Sequence, residues 1–508
     1  MRSRAHTIVA VSTVLLICTL GARAELTSEQ EALTIARNYV SFILVNEGNW
    51  GGLDSAEVLS IQEFRRGDRT LGYFCRVEPQ GFLALSLHKE LVPVRAYSAR
   101  CNLNPEAEEG LTDLIKDKME GILDGVETRL GRPLEPEDEF GDLLDISYRA
   151  VSDTLASEAF DPHSYQEPQR TRDGAGMNYQ EGEWLLTSNW HQQPPYNEQC
   201  PSMDCPWPDY DGFNDCARVG CVATAGAQVM YHWRWPPAGT DPFVDSYDWP
   251  NMCDAYIYDG ADWFNDENGL PVSWGQINAV AELSNEIGIA AHMDYGCSSS
   301  GTPTAYLEDA LETYFHYSID GAVVYRSDYD DAVGWFNELK HQFNANRPMP
   351  YRIDEHAIVG DGWKEEWIEG DYYWYHMNYG WPNDSYDTWW PLDELHHGTP
   401  DEYAIANIVP NTAIGNTLGP YYPGGVRRYF DLDSVGTNSW FSIGQDLQIL
   451  RSGFLLVNNG GPTDAIRFNG EPGQTIRFFM EGDVAGKTRI RVQGGAMKIN
   501  GGGQMVIR

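Results

Sequence analysis

One stretch of this sequence constrains the fold more than any other, because it is rich in alanine and carries its apolar residues at helical spacing. Residues 221–232 are Cys-Val-Ala-Thr-Ala-Gly-Ala-Gln-Val-Met-Tyr-His. This pattern predicts a helix that the rest of the protein buries. Cys221 is then in the first turn. Gly220, immediately before it, allows the backbone to turn sharply and leaves room for another molecule to approach.

A cysteine in the first turn of a helix faces the positive end of the helix dipole. That field favours the thiolate and raises the reactivity of the thiol at neutral pH. Cys221 is therefore a candidate nucleophile. An ordinary buried or disulfide-bonded cysteine gives the same local pattern and is the alternative interpretation.

A nucleophilic cysteine needs a base that takes up its proton and returns it to the leaving group, and histidine titrates in the right range. His356 opens a strand-like run, residues 356–362, that ends in a predicted turn, and a second strand-like run follows at residues 372–381. An antiparallel pair would place Asn378 beside the start of the first strand. Its side-chain oxygen would then hold the His356 ring, and Trp381 would shield that bond from water. A half-buried strand histidine without a chemical role is the alternative.

Acyl transfer also needs hydrogen-bond donors aimed at the oxygen that becomes negatively charged. The backbone N–H of Cys221 at the helix start is one candidate. The side-chain amide of Gln192, in the loop Trp190 to Asn197, is a second. A glutamine in such a loop is more commonly a surface polar residue.

Several short motifs occur together and in a fixed order along the chain. They are Leu185-Leu186-Thr187, Trp190-x-Gln192, Pro195-Tyr196-Asn197, Cys200-Pro201, Gly220 to Ala225, Tyr231-His232, His356-Ala357-x-Val359 and Asn378-Tyr379-Gly380-Trp381. About 135 residues separate Cys221 from His356. In this combination the motifs resemble the streptopain family of papain-like bacterial cysteine peptidases, over roughly residues 180 to 410.

The resemblance implies a papain-like α+β fold and a role for each candidate residue. Cys221 is implied as the nucleophile, His356 as the base, Gln192 as a residue near the oxyanion and Asn378 as the residue that orients the base. It implies no metal and no organic cofactor.

The sequence departs from the family pattern close to the predicted base. Tyr379 stands where the family usually has tryptophan, and Pro382-Asn383 stands where a Gly-Gly pair often follows. No expected catalytic residue is missing.

The length of 508 residues exceeds what one core supports, so several domains are expected. Residues 1–24 combine arginines, an apolar run and Ala-Arg-Ala, as in a secretory signal peptide. A membrane anchor is the alternative, but the apolar run is shorter than the roughly 20 residues that span a bilayer. No other segment predicts a span.

Residues 25–175 contain an amphipathic helix at Ala32 to Ile43, strand-like runs at 70–77 and 81–87, and a second helical stretch from Glu106 to about Arg129. They predict a small α+β domain with its own core, and the polar segment from 156 to about 182 predicts an exposed linker. The region resembles, more loosely, the inhibitory prodomain that precedes streptopain-like peptidases.

Residues 176–412 are the predicted catalytic domain, and residues 413–508 predict a separate β-rich module because strand-like runs alternate with Gly and Asn turns. The formal charge is -40, and -43 without the three arginines of residues 1–24 (32 basic minus 75 acidic residues). Such a surface repels nucleic acid and anionic membranes.

Eight cysteines remain after residue 24, and export would favour disulfides among them. With Cys221 as a nucleophile, five cysteines of residues 200–297 are left, so at least one more stays unpaired. A zinc site from Cys200, Cys205 and Cys216 is an alternative, but the spacings lack the paired C-x2-C pattern of structural zinc sites.

Together these features predict a secreted cysteine endopeptidase that is made as a zymogen and acts on protein or peptide substrates through a thioester. Its own prodomain would be an intramolecular inhibitor. Retention in the periplasm or at the cell surface stays open. The alternatives are a cell-wall amidase or transferase with the same Cys-His pair, and a non-catalytic extracellular binding or inhibitory protein.

Overall fold

The structure is a computed structural model. It describes residues 26–165 and 181–410, apart from residues 137, 139, 145–146, 208–209, 211, 214, 237, 261–262, 320–322, 330, 345–346, 354–355, 383–387 and 392–401. Beyond residue 410 it describes only the backbone of short strands between residues 440 and 507. The predicted signal peptide lies outside the described residues.

The α-helices of the described chain are α1 (Glu29–Asn46), α2 (Gly110–Leu130), α3 (Arg149–Leu155), α4 (Cys221–Trp233), α5 (Trp274–Ala290), α6 (Tyr306–Tyr314) and α7 (Ala332–Asn344). The strands up to residue 410 are β1 (Glu57–Arg66), β2 (Arg69–Glu78), β3 (Phe82–Ser86), β4 (Val94–Ser98), β5 (Ser202–Cys205), β6 (Asp215–Cys216), β7 (Ile257–Tyr258), β8 (Phe264–Asn265), β9 (Tyr317–Ile319), β10 (Val323–Tyr325), β11 (Met349–Ile353), β12 (His356–Trp367), β13 (Asp371–Asn378), β14 (Thr388–Pro391), β15 (Tyr403–Ile405) and β16 (Ile408–Pro410).

The last strands are β17 (Trp440–Ser442), β18 (Gln448–Ile449), β19 (Phe454–Asn458), β20 (Ala465–Asn469), β21 (Thr475–Met480), β22 (Arg489–Gln493), β23 (Ala496–Asn500) and β24 (Gln504–Ile507). They pair in parallel, in the sets β17-β20-β23, β18-β21-β24 and β19-β22. These pairings agree with the β-rich character expected of residues 413–508.

The N-terminal region, which we define as residues 26–165, contains the predicted elements. A capping box between Ser28 and Glu31 starts α1, and the apolar residues predicted for its inner face, from Ala32 to Ile43, are buried. The predicted second helix begins four residues later than expected, at Gly110, and Gly131 ends it in the left-handed region.

Strands from the N-terminal region and from the catalytic segment form one antiparallel sheet. Its order is β1-β2-β3-β4-β14-β13-β12-β11-β15-β10. The junction lies between β4 and β14, where Tyr97 pairs with Trp389. A largely antiparallel sheet with helices packed on its faces is an α+β architecture, which confirms the predicted fold class.

The prediction that the N-terminal region has its own core is wrong. Apolar side chains of α1 and β2–β4 form a single buried cluster with Tyr372, Trp374 and Trp389 of the catalytic segment. Within this cluster the rings of Tyr39 and Tyr97 lie 5.9 and 5.3 Å from that of Trp374. Because the sheet continues across the boundary, its two faces also continue, and both segments contribute to the same cores.

The predicted turn at the end of residues 356–362 is also wrong. Strand β12 runs on to Trp367, and the expected turn is a bulge between Gly360 and Gly362. The hairpin turn lies at residues 368–370 instead. The predicted antiparallel pairing with the following strand is confirmed, and Asn378 lies opposite Val359, near the start of β12.

The start of the predicted linker is attached to the folded protein. The Asn38 side chain in α1 donates hydrogen bonds to the carbonyls of Leu155 and Ser157, at 2.8 and 2.9 Å. Tyr165 stacks on Phe160 and lies 6.2 Å from the ring of Trp367. Even so, none of residues 156–165 is buried, and Glu158, Ala159, Asp161, His163 and Ser164 are exposed, which agrees with the expected exposure. Residues 166–180 lie outside the described part.

Among the described cysteines, Cys205 and Cys297 form a disulfide across 92 residues of sequence. The free cysteines are Cys75, Cys101, Cys200, Cys216, Cys221 and Cys253. Because Cys205 is bonded to Cys297, the alternative of a zinc site that uses Cys200, Cys205 and Cys216 is wrong. No helix within the described residues has the length and apolar character that a membrane span requires.

Candidate active site

Cys221 is the first residue of α4, which confirms the predicted place in the first turn, and it is half-buried. The helix that follows is buried from Val222 to Trp233. Gly220 precedes it with a φ of +89°. A Cβ at Gly220 would lie 2.7 Å from Sδ of Met293 and 3.0 Å from the carbonyl oxygen of Ser300, so both the conformation and the space require glycine.

The thiol of Cys221 forms a hydrogen bond with the side chain of His356. Burial acts to raise the pKa of this thiol, but that hydrogen bond, the charge of the imidazole and the backbone N–H groups of Ala357 and Val222 outweigh it. The pKa of Cys221 consequently lies below the usual value for cysteine. An electropositive, partly accessible environment of this kind is typical of reactive cysteines.

Four other cysteines of the described chain have pKa values above the usual value for cysteine. Burial raises the pKa values of Cys75, Cys200 and Cys253 to about 12. Burial and the nearby carboxylate of Glu198 also raise the pKa of Cys216. These thiols stay protonated at neutral pH, so the electrostatic environment distinguishes Cys221 from them.

His356 is the first residue of β12 and its ring is held on two sides. Its Nε2 lies 2.9 Å from the carbonyl oxygen of Tyr379, so Nε2 carries a hydrogen and donates a hydrogen bond to this carbonyl. The indole of Trp381 stacks on the imidazole with 4.6 Å between the ring centres. Nε2 is occupied in this way, which leaves Nδ1 for the thiol of Cys221.

The predicted contact between Asn378 and His356 is wrong. The side-chain oxygen of Asn378 accepts the backbone N–H of Gly380 at 3.0 Å and does not hold the imidazole. The ring is held by a backbone carbonyl, that of Tyr379, two residues before Trp381. Sequence patterns miss this contact, because every residue carries a carbonyl group.

Gly380 brings this turn close to the helix that bears the thiol. Its φ is +64°, and a Cβ there would lie 3.0 Å from Cγ2 of Thr224 in α4. A glycine thus allows the 378–381 turn to lie against α4, on the same side as the contact between His356 and Cys221.

Gln192 lies in a loop that runs beside the residues preceding Cys221. Its carbonyl oxygen accepts the backbone N–H of Val219 at 3.1 Å. The side chain is half-buried. The loop that carries Gln192 and the residues before α4 are therefore neighbours, and the role of the Gln192 side chain as an oxyanion donor stays a prediction.

Gln228 was not singled out by the sequence, although it is the polar residue in the middle of the alanine-rich helix. It is fully buried, and its side-chain oxygen accepts hydrogen bonds from Ser188, Trp190 and Asn378. The available signal was an amide side chain directly between the apolar residues Ala227 and Val229 in a helix that the sequence predicts to be buried. Within the described residues, no group of three or more His, Cys, Asp and Glu side chains is arranged to hold a metal ion.

The sequence of this chain is similar to those of known cysteine peptidases. Residues 190–390 match the Peptidase C10 family. The chain is 24% identical over 389 residues to streptopain of Streptococcus pyogenes, which covers 73% of this chain and 85% of streptopain. It is 26% identical over 204 residues to the thiol protease/hemagglutinin PrtT of Porphyromonas gingivalis, covering 38% of this chain and 21% of PrtT. Among solved structures, a fragment of prointerpain A from Prevotella intermedia is 19% identical, with a TM-score of 0.46, and covers 68% of this chain and 98% of the fragment.

Proposed function

Because this chain is a streptopain-like cysteine peptidase whose residues 190–390 match the Peptidase C10 family, we propose that Cys221 is its nucleophile and His356 its general base. The observation that carries the proposal is the hydrogen bond between the two side chains at the N-terminus of α4, which lowers the pKa of the thiol. The family match also argues against the two alternatives, a cell-wall amidase or transferase and a non-catalytic binding protein.

In the proposed reaction the Cys221 thiolate attacks the carbonyl carbon of a peptide bond. The proton that left the thiol resides on Nδ1 of His356, since Nε2 donates to the carbonyl of Tyr379. As the tetrahedral intermediate collapses, Nδ1 returns this proton to the amine that leaves, and a thioester remains on Cys221. His356 then removes a proton from water, and the hydroxide attacks the thioester carbonyl. The C–S bond breaks, the carboxylic acid product leaves, and His356 returns the proton to the sulfur of Cys221.

The negative oxygen of each tetrahedral intermediate requires donors that are already in place. The backbone N–H of Cys221 is one, because the first N–H groups of a helix have no partner within the helix. The side-chain amide of Gln192 is the second donor in this proposal. The bond from Val219 to the Gln192 carbonyl supports it, because this bond fixes the loop beside the helix start.

Trp381 and Asn378 have supporting roles in this proposal. Trp381 covers one face of the imidazole, which excludes water from the bond between His356 and Tyr379. Asn378 acts indirectly. Its side-chain oxygen accepts the N–H of Gly380, which fixes the preceding carbonyl, that of Tyr379, against His356.

We further propose that residues 25–175 are an inhibitory prodomain, that the enzyme is a secreted endopeptidase, and that residues 1–24 direct its export. The continuous sheet between β4 and β14 supports tight attachment of the N-terminal region. Burial lowers the pKa of Arg218, which lies three residues before Cys221, and the negative charge of Glu109 opposes that shift. Glu109 immediately precedes α2, so the start of α2 lies within electrostatic range of the segment that leads to Cys221. Cleavage between residues 166 and 180 would separate the two parts of the chain.

The proposal is tested by comparing Cys221→Ala with Cys216→Ala, a matched control at a half-buried free cysteine. The Cys221→Ala protein should accumulate as a folded full-length precursor with no activity on casein. The Cys216→Ala protein should mature and cleave casein like wild type. Maturation of purified Cys221→Ala at the wild-type rate would refute the assignment of the nucleophile.

The role of His356 is tested by the rate at which iodoacetamide alkylates Cys221 as a function of pH. In wild type the reaction should persist below the usual titration range of cysteine. In His356→Ala the effect of burial is no longer opposed by the imidazole, so the midpoint should move above that range. An unchanged midpoint would exclude His356 as the partner of the thiol.

A further inference from the structure

We propose that Gln228 is a positioning residue of the peptidase, whose buried amide joins the helix of Cys221, the loop of Gln192 and the turn that orients His356. This inference rests on the proposed roles of those three residues. According to this inference, one side chain fixes the positions of Cys221, Gln192 and His356 relative to one another.

The position of Gln228 on α4 makes such a role feasible. It follows Cys221 by seven residues, which is about two helical turns, so both lie on the same side of the helix. Thr224, between them, contacts the turn at Gly380. The side chain of Gln228 is fully buried, and its hydrogen-bond partners are all uncharged.

Gln228 and Asn378 form a reciprocal pair of amides. The nitrogen of Gln228 donates to the oxygen of Asn378 at 3.2 Å, and the nitrogen of Asn378 donates to the oxygen of Gln228 at 3.0 Å. The remaining groups of Asn378 are also used, since its nitrogen donates to the carbonyl of Ser188 at 2.9 Å and its oxygen accepts from Gly380. Neither amide can rotate by half a turn without breaking several of these bonds.

The same pair reaches the two other parts of the site. Through the N–H of Gly380 it fixes the turn whose Tyr379 carbonyl holds Nε2 of His356. On the other side, the oxygen of Gln228 accepts the hydroxyl of Ser188 at 3.0 Å and the backbone N–H of Trp190 at 3.3 Å, two residues before Gln192. One buried side chain therefore touches all three elements that supply catalytic groups.

This role requires a donor and an acceptor on the same side chain, and that requirement provides a specific test. In Gln228→Glu an ionised carboxylate would place an oxygen against the oxygen of Asn378. A protonated carboxyl group would restore the donor with nearly unchanged shape. Burial favours the protonated form, so the geometry should be intact at low pH and lost as the pH rises through the raised pKa of the new carboxyl group.

The experiment measures kcat and KM on a peptide substrate across the pH range for wild type, Gln228→Glu and Gln228→Leu. The Leu variant should lose about tenfold to a hundredfold in kcat at every pH, the size expected for a misplacement of about 1 Å. The kcat of the Glu variant should approach that of wild type at acidic pH. At alkaline pH it should fall to that of the Leu variant. KM should change little in either, because the substrate does not touch Gln228.

Gln342→Glu is the matched control. Gln342 is also a buried helical glutamine, and it exchanges hydrogen bonds with Asn407 away from the site. It should lose stability in urea but keep the wild-type shape of the kcat profile. A Gln228→Leu variant with kcat within about twofold of wild type, or a Gln228→Glu profile parallel to wild type or to Leu at all pH, would overturn the inference. If wild type itself had no peptidase activity, the proposed function would fail instead.

Discussion

Replacing Lys364 by methionine should weaken the attachment of the N-terminal region to the catalytic segment. Lys364 lies on β12 and is buried beneath the N-terminal region. Its Nζ is 2.5 Å from Glu47 of that region and 2.6 Å from Glu366 of its own strand, and it hydrogen-bonds the hydroxyl of Tyr97. The hydroxyl of Tyr39 in α1 donates to Glu366 at 2.9 Å.

The expected loss follows from the charges that the substitution leaves behind. Methionine fills a similar volume but removes the cation, so Glu366 is left buried without its counter-charge. Breaking a buried ion pair on one side costs about 3 to 5 kcal/mol. Burial already raises the pKa of Glu366 and Lys364 opposes that shift, so the pKa should rise further in the variant.

The pH dependence has a definite sign. A carboxyl group whose pKa is raised in the folded state takes up a proton on folding, so the folded form becomes more stable relative to the unfolded form as the pH falls. The difference in the free energy of unfolding between wild type and Lys364→Met should therefore be largest near neutral pH. It should shrink by up to about 1.4 kcal/mol per unit as the pH falls towards the ordinary range of a carboxyl group.

The assay is urea unfolding of the precursor, with Cys221→Ala in every protein to prevent self-processing, followed by tryptophan fluorescence. Lys340→Met is the matched control, because Lys340 pairs with Glu365 at 2.5 Å in a more exposed setting. The control should lose less than about 1 kcal/mol. A loss in Lys364→Met no larger than in the control, or equal losses at pH 5 and pH 7.5, would refute the electrostatic argument.

Three further predictions concern the active-site turn, the disulfide and the first helix. Gly380→Ala should lower the free energy of unfolding by about 1 to 3 kcal/mol, because Gly380 has a positive φ and an added Cβ would meet Thr224, and it should also lower kcat. If a double variant that adds Thr224→Ala recovered none of this stability in urea unfolding, the clash with Thr224 would not be part of the cause. Replacing Cys205 and Cys297 by serine should cost about 2 to 5 kcal/mol in urea, and an unchanged midpoint would contradict this. Burial acts to raise the pKa of Glu31, but its hydrogen bonds lower it to about 2, so the stability it contributes is present above its ordinary pKa and lost as the pH falls towards about 2. Glu31 is partly exposed, so Glu31→Gln should differ from wild type by about 1 kcal/mol in urea at pH 6 and by nothing near pH 2; a difference that persists at pH 2 would disprove it.

Local features of the sequence were enough for the elements that bear the catalytic groups. The apolar spacing of α4 and the glycine before Cys221 predicted the helix, with Cys221 in its first turn, because both depend on neighbouring residues alone. The two strand-like runs at residues 356–362 and 372–381 predicted an antiparallel pair, with Asn378 near the start of β12.

The tertiary structure decided which groups meet. The partner of His356 is a backbone carbonyl, and Asn378 turns to Gln228, because α4 packs against the end of the hairpin. The pairing of Cys205 with Cys297 and of Tyr97 with Trp389 joins residues far apart in the chain. Local patterns define the faces of helices and strands but leave open which sheet edges and thiols approach one another, since that is fixed only when the whole core packs.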